Sequence, residues 1–117
     1  MAYTTTELAD ATLREMGVTD ASETPEAFER TIVTDKYAAW YDEHRAHGNE
    51  LVYWASDDIP DPVFGILVDL MALESAASFG MRMSPAEKEQ QKTLILRRLR
   101  RHISVQSGRG AVKATYF

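Results

Sequence analysis

Apolar residues recur at intervals of three and four along most of the chain, in four segments separated by glycine, proline or polar stretches. The first segment follows Thr4, which lies three residues before Glu7, the spacing of a capping box. Gly17 can adopt the left-handed conformation that ends many helices. The pattern therefore predicts a first helix over residues 5–16, followed by a polar loop.

The second segment predicts a long helix with two apolar stripes. Thr24 and Pro25 provide an N-cap and a proline in the first turn, and the pattern ends close to His47. One stripe comprises Phe28, Ile32 and Ala39, and the other comprises Val33, Tyr37, Trp40 and His44. A surface helix of a monomer normally needs a single stripe. The helix is therefore either enclosed within its own bundle or turned toward another subunit through one stripe.

The third segment is the most apolar part of the chain. Residues 57–62 contain two prolines and break the helical pattern. From Pro62 to about Gly80 the pattern is apolar nearly all round, which predicts a central, buried helix. Its most apolar run, Val63 to Leu73, is interrupted by Asp69 and is too short to span a bilayer, so we expect no membrane contact.

The fourth segment has the strongest helix start in the sequence. Ser84-Pro85-Ala86-Glu87 combines an N-cap, a first-turn proline and an acid, and predicts a helix to about Ile103. Beyond it, two glycines precede alternating apolar and polar residues. The predicted fold is all-α: an antiparallel bundle of about four helices over residues 1–103, with an extended basic C-terminal tail over residues 104–117.

Charge is divided unevenly along the 117 residues. Residues 1–83 carry a net charge of −11 and residues 84–117 a net charge of +6, which together give −5. Four arginines fan over the side of the fourth helix opposite its apolar face: Arg97, Arg98, Arg100 and Arg101. Such a face suits phosphate contacts, and it equally suits the acidic part of a neighbouring copy, so both interpretations remain open.

No motif marks a catalytic, metal or cofactor site. The chain has no cysteine, which excludes disulfides and thiolate chemistry. His44 and His47 have a spacing found in metal sites but lack further ligands, since His102 lies among arginines. We therefore expect no enzymatic activity, no metal and no cofactor, with an Asp- or Glu-dependent cell-wall hydrolase as a remote alternative.

Several short motifs occur in an order that resembles a known family. They are the helix end Leu13-Arg14-Glu15-Met16-Gly17-Val18, the aromatic helix end at Trp40-Tyr41, the turn Ile59-Pro60-Asp61 and the small-residue-rich helix that closes on Phe79-Gly80. In this order, over about residues 5–83, they resemble the head-to-tail adaptors of tailed bacteriophages. These proteins are also called connector, head-completion or packaged-DNA stabilisation proteins, and gene-transfer-agent particles carry relatives.

The resemblance implies a structural virion protein, made in the host cytoplasm and located in the neck between capsid and tail. Such adaptors form a ring, usually twelve-fold, beneath the portal, where they extend the DNA channel and help to retain the packaged genome. The implied partners are the portal protein, other copies of the chain, a downstream tail or stopper protein and the double-stranded DNA in the channel.

The resemblance also assigns roles to particular residues. C-terminal segments of related adaptors commonly dock on the portal, so the candidate portal-binding residues are Ser104, Val105, Val112, Lys113, Ala114, Thr115, Tyr116 and Phe117. The arginine fan and the second stripe of the long helix, and not the resemblance, supply the candidate inter-subunit or DNA contacts, which are Arg97, Arg98, Arg100, Arg101, Tyr37 and Trp40. The alternative function is a small DNA-binding accessory or regulatory protein that uses the four arginines.

Overall fold

A computed structural model of the chain describes the backbone of residues 2–20, 22–46 and 52–115, and the side chains within these ranges to Ser104, except that of Ala46. The described chain is mostly helical, which confirms the all-α class. Its helices are α1 (Thr5–Glu15), α2 (Ala27–Ala46), α3 (Asp61–Ser75) and α4 (Pro85–Thr115), with a short 3₁₀ helix at Ala76–Phe79. Two-residue strands, β1 (Ala2–Tyr3) and β2 (Ile59–Pro60), pair antiparallel.

The ends of α1 are set by local sequence, as predicted. The Thr4 hydroxyl accepts a hydrogen bond from the Glu7 N–H at 3.2 Å, and the Glu7 carboxylate accepts one from the Thr4 N–H at 2.9 Å. At the other end Gly17 has φ +77°, and the Val18 N–H donates to the Leu13 carbonyl at 3.0 Å. The capping box and the glycine stop therefore bound the helix within one residue of the predicted range.

The N-terminus is tied to the start of α3. The Tyr3 hydroxyl donates to Asp61 at 3.0 Å, and its ring stacks on Phe64 with centroids 3.9 Å apart. This hydrogen bond, together with the negative charge of Asp61, raises the pKa of Tyr3. One carboxylate oxygen of Asp57 accepts both the N–H and the hydroxyl of Thr5, at 2.8 and 3.0 Å. These contacts hold β1 beside β2 and fix the first turn of α1.

An ion pair joins α2 to α1. The Arg30 guanidinium binds Asp10 through two nitrogens, at 2.6 and 3.0 Å, and this hydrogen bonding raises the pKa of Arg30. The helix begins at Ala27, two positions after the predicted Pro25. Its predicted end at His47 lies outside the described residues. The predicted second helix is thus confirmed over its described residues, Ala27–Ala46.

Helix α3 is the centre of the fold, as predicted. It contacts α1, α2 and α4, and α1 also packs against α2, whereas α4 packs mainly against α3. The buried side chains of α3 point in several directions around the helix; they are Val63, Ile66, Leu67, Val68, Leu70, Met71, Leu73 and Ser75. The described chain is therefore a set of helices around α3, and the finer prediction of a four-helix bundle is not established.

The helical segment built on α3 is longer than its apolar run indicated. Together with the 3₁₀ helix it forms Asp61–Phe79, the one segment within the described ranges that is long and apolar enough to cross a membrane by length and composition. The prediction about membrane spanning concerned only the shorter run Val63 to Leu73, and the expected absence of membrane contact stays a prediction. About 39% of its most apolar window is buried in the fold, and packing against α1, α2 and α4 accounts for that part of its apolar composition.

Helix α4 starts as predicted but does not end as predicted. The Ser84 hydroxyl accepts the Glu87 N–H at 3.2 Å, which caps the first turn. The helix then continues to Thr115, across the predicted boundary at residue 104, so the extended conformation expected for residues 104–115 is wrong. No proline follows Pro85, and a glycine in a helix costs only about 1 kcal/mol relative to alanine. The two glycines therefore weaken the helix without ending it.

Candidate interaction surfaces

The structure shows which of the two apolar stripes of α2 is buried. Tyr37 and Trp40 are 1% and 5% exposed and belong to the hydrophobic core, together with Val33. The prediction that Tyr37 and Trp40 contact another subunit or DNA is therefore wrong, because the chain's own packing covers both side chains. An aromatic stripe at helical spacing is here a core stripe.

A network of aromatic residues fixes the loop that follows α2. The Trp54 indole N–H donates to the Tyr37 hydroxyl at 3.0 Å, and that hydroxyl donates to the Ser56 carbonyl at 2.9 Å. The Tyr41 hydroxyl donates to the Trp54 carbonyl at 2.6 Å and accepts a hydrogen bond from Arg45. Burial is the main cause that raises the pKa of Tyr37 to about 12. The network is structural, since its polar groups are used within the fold.

The other stripe of α2 faces solvent. Phe28 is 61% exposed, Ile32 is half-buried and Ala39 is exposed. Asp35 and Asp42 lie on the same side of the helix, within an arc of about 80°. We call these five residues the Phe28 face. It is apolar along its centre and carries a net charge of −2.

A second exposed apolar surface lies between α3 and α4. It is a cleft of about 460 Å³ that also involves the end of α1 and the loop after Gly80. We call it the methionine groove, and its main apolar lining residues are Met16, Leu73, Met81, Met83, Leu94 and Ile95. Leu94 is 52% exposed, and Met81 and Met83 are also exposed. Methionine side chains adapt readily to a partner's shape, so the groove suits a protein contact.

Sequence reasoning missed this groove because four separate parts of the chain build it. One signal was present: Leu94 lies about 100° from Ile95 on the helix, off the stripe that faces the core. The methionines also gave a hint, since Met81 and Met83 directly follow the glycine that ends the third helical segment. Neither signal identifies a groove without the packing of α4 on α3.

The four arginines do not form one uniform face. Arg98 pairs with Asp69 of α3, at 2.7 Å, although both side chains remain well exposed to solvent. Arg97, Arg100 and Arg101 are exposed. An exposed ion pair contributes little to stability, so Arg98 remains accessible to a partner. The predicted inter-subunit or DNA role of these arginines stays a prediction.

The histidines make contacts within the chain. The His44 ring nitrogen Nδ1 lies 3.0 Å from the Trp40 carbonyl, and Nε2 of His102 lies 2.9 Å from the Tyr53 hydroxyl. His47 lies outside the described residues. Within the described ranges no group of three or more histidine or acidic side chains is placed to hold a metal ion.

The predicted portal-binding residues lie at the end of the chain. Ser104 is an exposed residue of α4, and residues 105–115 continue the helical backbone. Tyr116 and Phe117 lie outside the described residues. The docking role of this segment stays a prediction.

The described residues thus carry two exposed apolar surfaces on different helices. The Phe28 face belongs to α2, and the methionine groove belongs mainly to α3 and α4. In the comparison with known proteins, no family model, no curated protein and no solved structure matches the chain.

Proposed function

We propose that the protein is a structural virion component, the head-to-tail adaptor of a tailed bacteriophage or a phage-like particle. It forms a ring beneath the portal, extends the DNA channel and helps to retain the packaged genome. The resemblance over residues 5–83 supports this proposal. Gly17 lies just after α1 and Gly80 ends the 3₁₀ helix with φ +77°, as the motifs require, whereas α2 continues to Ala46, past Trp40-Tyr41.

One structural observation carries the proposal furthest: a single small chain has two different exposed apolar surfaces. A ring made of identical subunits requires two complementary patches on each subunit, because every copy contacts its two neighbours through different faces. The Phe28 face is acidic, whereas α4 carries eight of the 13 lysine and arginine residues of the chain. This separation of charge favours contacts in which unlike faces of successive copies meet.

The direct test is light scattering on a sizing column, with the chain alone and then mixed with its cognate portal. We expect the portal peak to gain about a ring's worth of 13.2 kDa subunits, with no shift for an unrelated portal. Failure to co-elute with the cognate portal at both low and physiological salt would contradict the adaptor function.

A truncated chain that ends at Ile103 tests the docking segment. We expect its melting temperature to stay close to that of the full chain, because Ile95 and Leu99, the residues of α4 described as buried, are both retained. Its helical signal is expected to fall only by the part of α4 removed, and portal binding is expected to be lost. Retained portal binding would refute the docking role while leaving the adaptor proposal intact.

The second candidate function is DNA binding, favoured by the exposed row of Arg97, Arg100 and Arg101. It predicts duplex binding whose affinity falls steeply with salt, because each phosphate contact releases counterions. Changing Arg97 and Arg100 to glutamine should reduce that binding strongly, whereas the matched change of Lys88 and Lys92, which removes the same number of charges, should reduce it less. Duplex binding that disappears below physiological salt, or that the arginine changes do not affect, would exclude this candidate.

A further inference from the structure

We propose that the methionine groove binds the Phe28 face of a second copy of the chain. Successive copies then join head to tail, with α2 of one subunit against α3 and α4 of the next. The inference rests on the proposed adaptor function in one respect: that function supplies the ring in which this contact is used. The contact itself follows from the exposed surfaces of the chain and can be tested without a portal.

The first argument is the fit between the exposed phenyl ring of Phe28 and the exposed methionine groove. Phe28 is the most exposed of the large apolar residues for which exposure is described, and small or short side chains flank it along its face. The groove, at about 460 Å³, has the size of sites that enclose small organic molecules, so it can accept a phenyl ring and part of Ile32. Burying such apolar surfaces together favours association.

The second argument is the position of charges along the two helices. Asp35 follows Phe28 by seven residues, and Arg101 follows Leu94 by seven residues. Seven residues span about 10 Å along a helix and return to nearly the same side. If α2 packs parallel to α4 with Phe28 beside Leu94, Asp35 therefore lies beside Arg101.

The acidic residues near the groove do not make it repel the acidic Phe28 face. Asp69 lines the groove but is already paired with Arg98. Glu15 is the other acid there, while Arg82 and Lys88 line the adjoining end of the cleft. The charged side chains at the groove are therefore balanced or basic, in contrast to the acidic Phe28 face.

The third argument favours a contact between unlike faces of two copies over a contact between two identical faces. The Phe28 face and the groove differ in shape and in charge, and they lie on different helices of the same chain. Contact between two Phe28 faces would bring Asp35 and Asp42 of one copy toward those of the other, and like charges oppose such a contact. A contact between unlike faces leaves one free surface at each end, so further copies can add; they form a ring where the rotation between copies closes, and an open filament where it does not.

Cross-linking tests this contact directly, because the natural chain has no cysteine. One variant carries Ala27→Cys, an exposed position beside Phe28, and another carries Gln91→Cys in the groove; in the register with Phe28 beside Leu94 these two positions lie about 3 Å apart along the helix axes. Mixed at high protein concentration with a short bismaleimide, this pair is expected to give at least tenfold more cross-linked dimer than Ala27→Cys mixed with Ala55→Cys. Ala55 is exposed but outside both surfaces. A yield equal to that control overturns the proposal.

Two charge variants then test the direction of the contact, with folding checked by circular dichroism. Phe28→Asp removes the inserted ring and Leu94→Asp alters the groove, and both positions are exposed, so the fold should persist. Each variant alone is expected to lose self-association in sedimentation velocity. Their mixture retains one intact contact, so it should form dimers and nothing larger. Monomers in that mixture, or undiminished association of either variant alone, would overturn the proposal.

The outcomes separate this inference from the proposed function. If the chain binds its portal but shows no selective cross-link, the adaptor function stands and the contact between the Phe28 face and the methionine groove is refuted. If the chain shows the cross-link but fails to bind its portal, the contact between copies stands and the adaptor function is refuted.

Discussion

Replacing Trp54 by alanine is expected to lower the free energy of unfolding by about 3–5 kcal/mol, the range typical of buried aromatic residues. Trp54 is 5% exposed, and its ring stacks with that of Trp40 at a centroid distance of 6.4 Å. Its indole N–H also donates to the Tyr37 hydroxyl. The change therefore removes a large buried ring, opens a cavity beside α2 and takes one hydrogen bond from a buried hydroxyl.

Urea unfolding of the full chain measures this effect, and Trp54→Phe provides the matched control. Phenylalanine keeps most of the apolar contact but cannot donate to Tyr37, so we expect a loss of about 1–2 kcal/mol from the hydrogen bond and the smaller ring. A loss below about 1 kcal/mol for the alanine variant would show that the loop over residues 52–57 contributes little to the fold. That result would contradict the structural role of the aromatic network.

Local signals in the sequence predicted most helix boundaries correctly. The caps at Thr4 and Ser84 and the glycine stops at Gly17 and Gly80 act through nearby backbone groups, so the residues beside them are enough to identify a helix end. The central position of α3 was equally clear, because its apolar residues cover nearly all its sides. These features depend on spacing within one segment and not on distant contacts.

Features that depend on contacts between segments were not predictable in the same way. Periodicity revealed two stripes on α2, but it could not show which one is buried, because that depends on Trp54 and Ser56 binding Tyr37 from the following loop. The methionine groove requires α4 to pack on α3. At the C-terminus, alternation of apolar and polar residues over five positions indicated an extended segment, but so short a pattern is also compatible with a helix.

The same reasoning changes which surface of α2 is the candidate interface. The sequence offered two stripes, and the aromatic one attracted attention because large rings dominate many protein contacts. The fold uses those rings internally and leaves Phe28, Ile32 and Ala39 outside. The subunit contact proposed above therefore involves the less aromatic stripe.

Raising the pH from 10 to 12 is expected to cost the folded chain about 2–3 kcal/mol through Tyr37. Burial raises the pKa of this hydroxyl from its ordinary value of 10 to about 12 in the fold. The fold thus favours the protonated form, so the stabilisation is fully present below pH 10 and is lost as pH rises toward 12. The expected size follows from about 1.4 kcal/mol for each pKa unit.

Urea unfolding at several pH values from 9 to about 12 measures this loss, and two phenylalanine variants assign it. Tyr37→Phe should be less stable than the natural chain at pH 9, because the Trp54 N–H and the Ser56 carbonyl lose their partner. Its stability should then fall less between pH 10 and 12, so the difference between the two chains shrinks or reverses. Tyr3→Phe removes an exposed hydroxyl and should leave most of the decline in place. A decline that is unchanged in Tyr37→Phe would mean that the Tyr37 hydroxyl ionises as readily in the fold as in the unfolded chain, and that burial does not protect it.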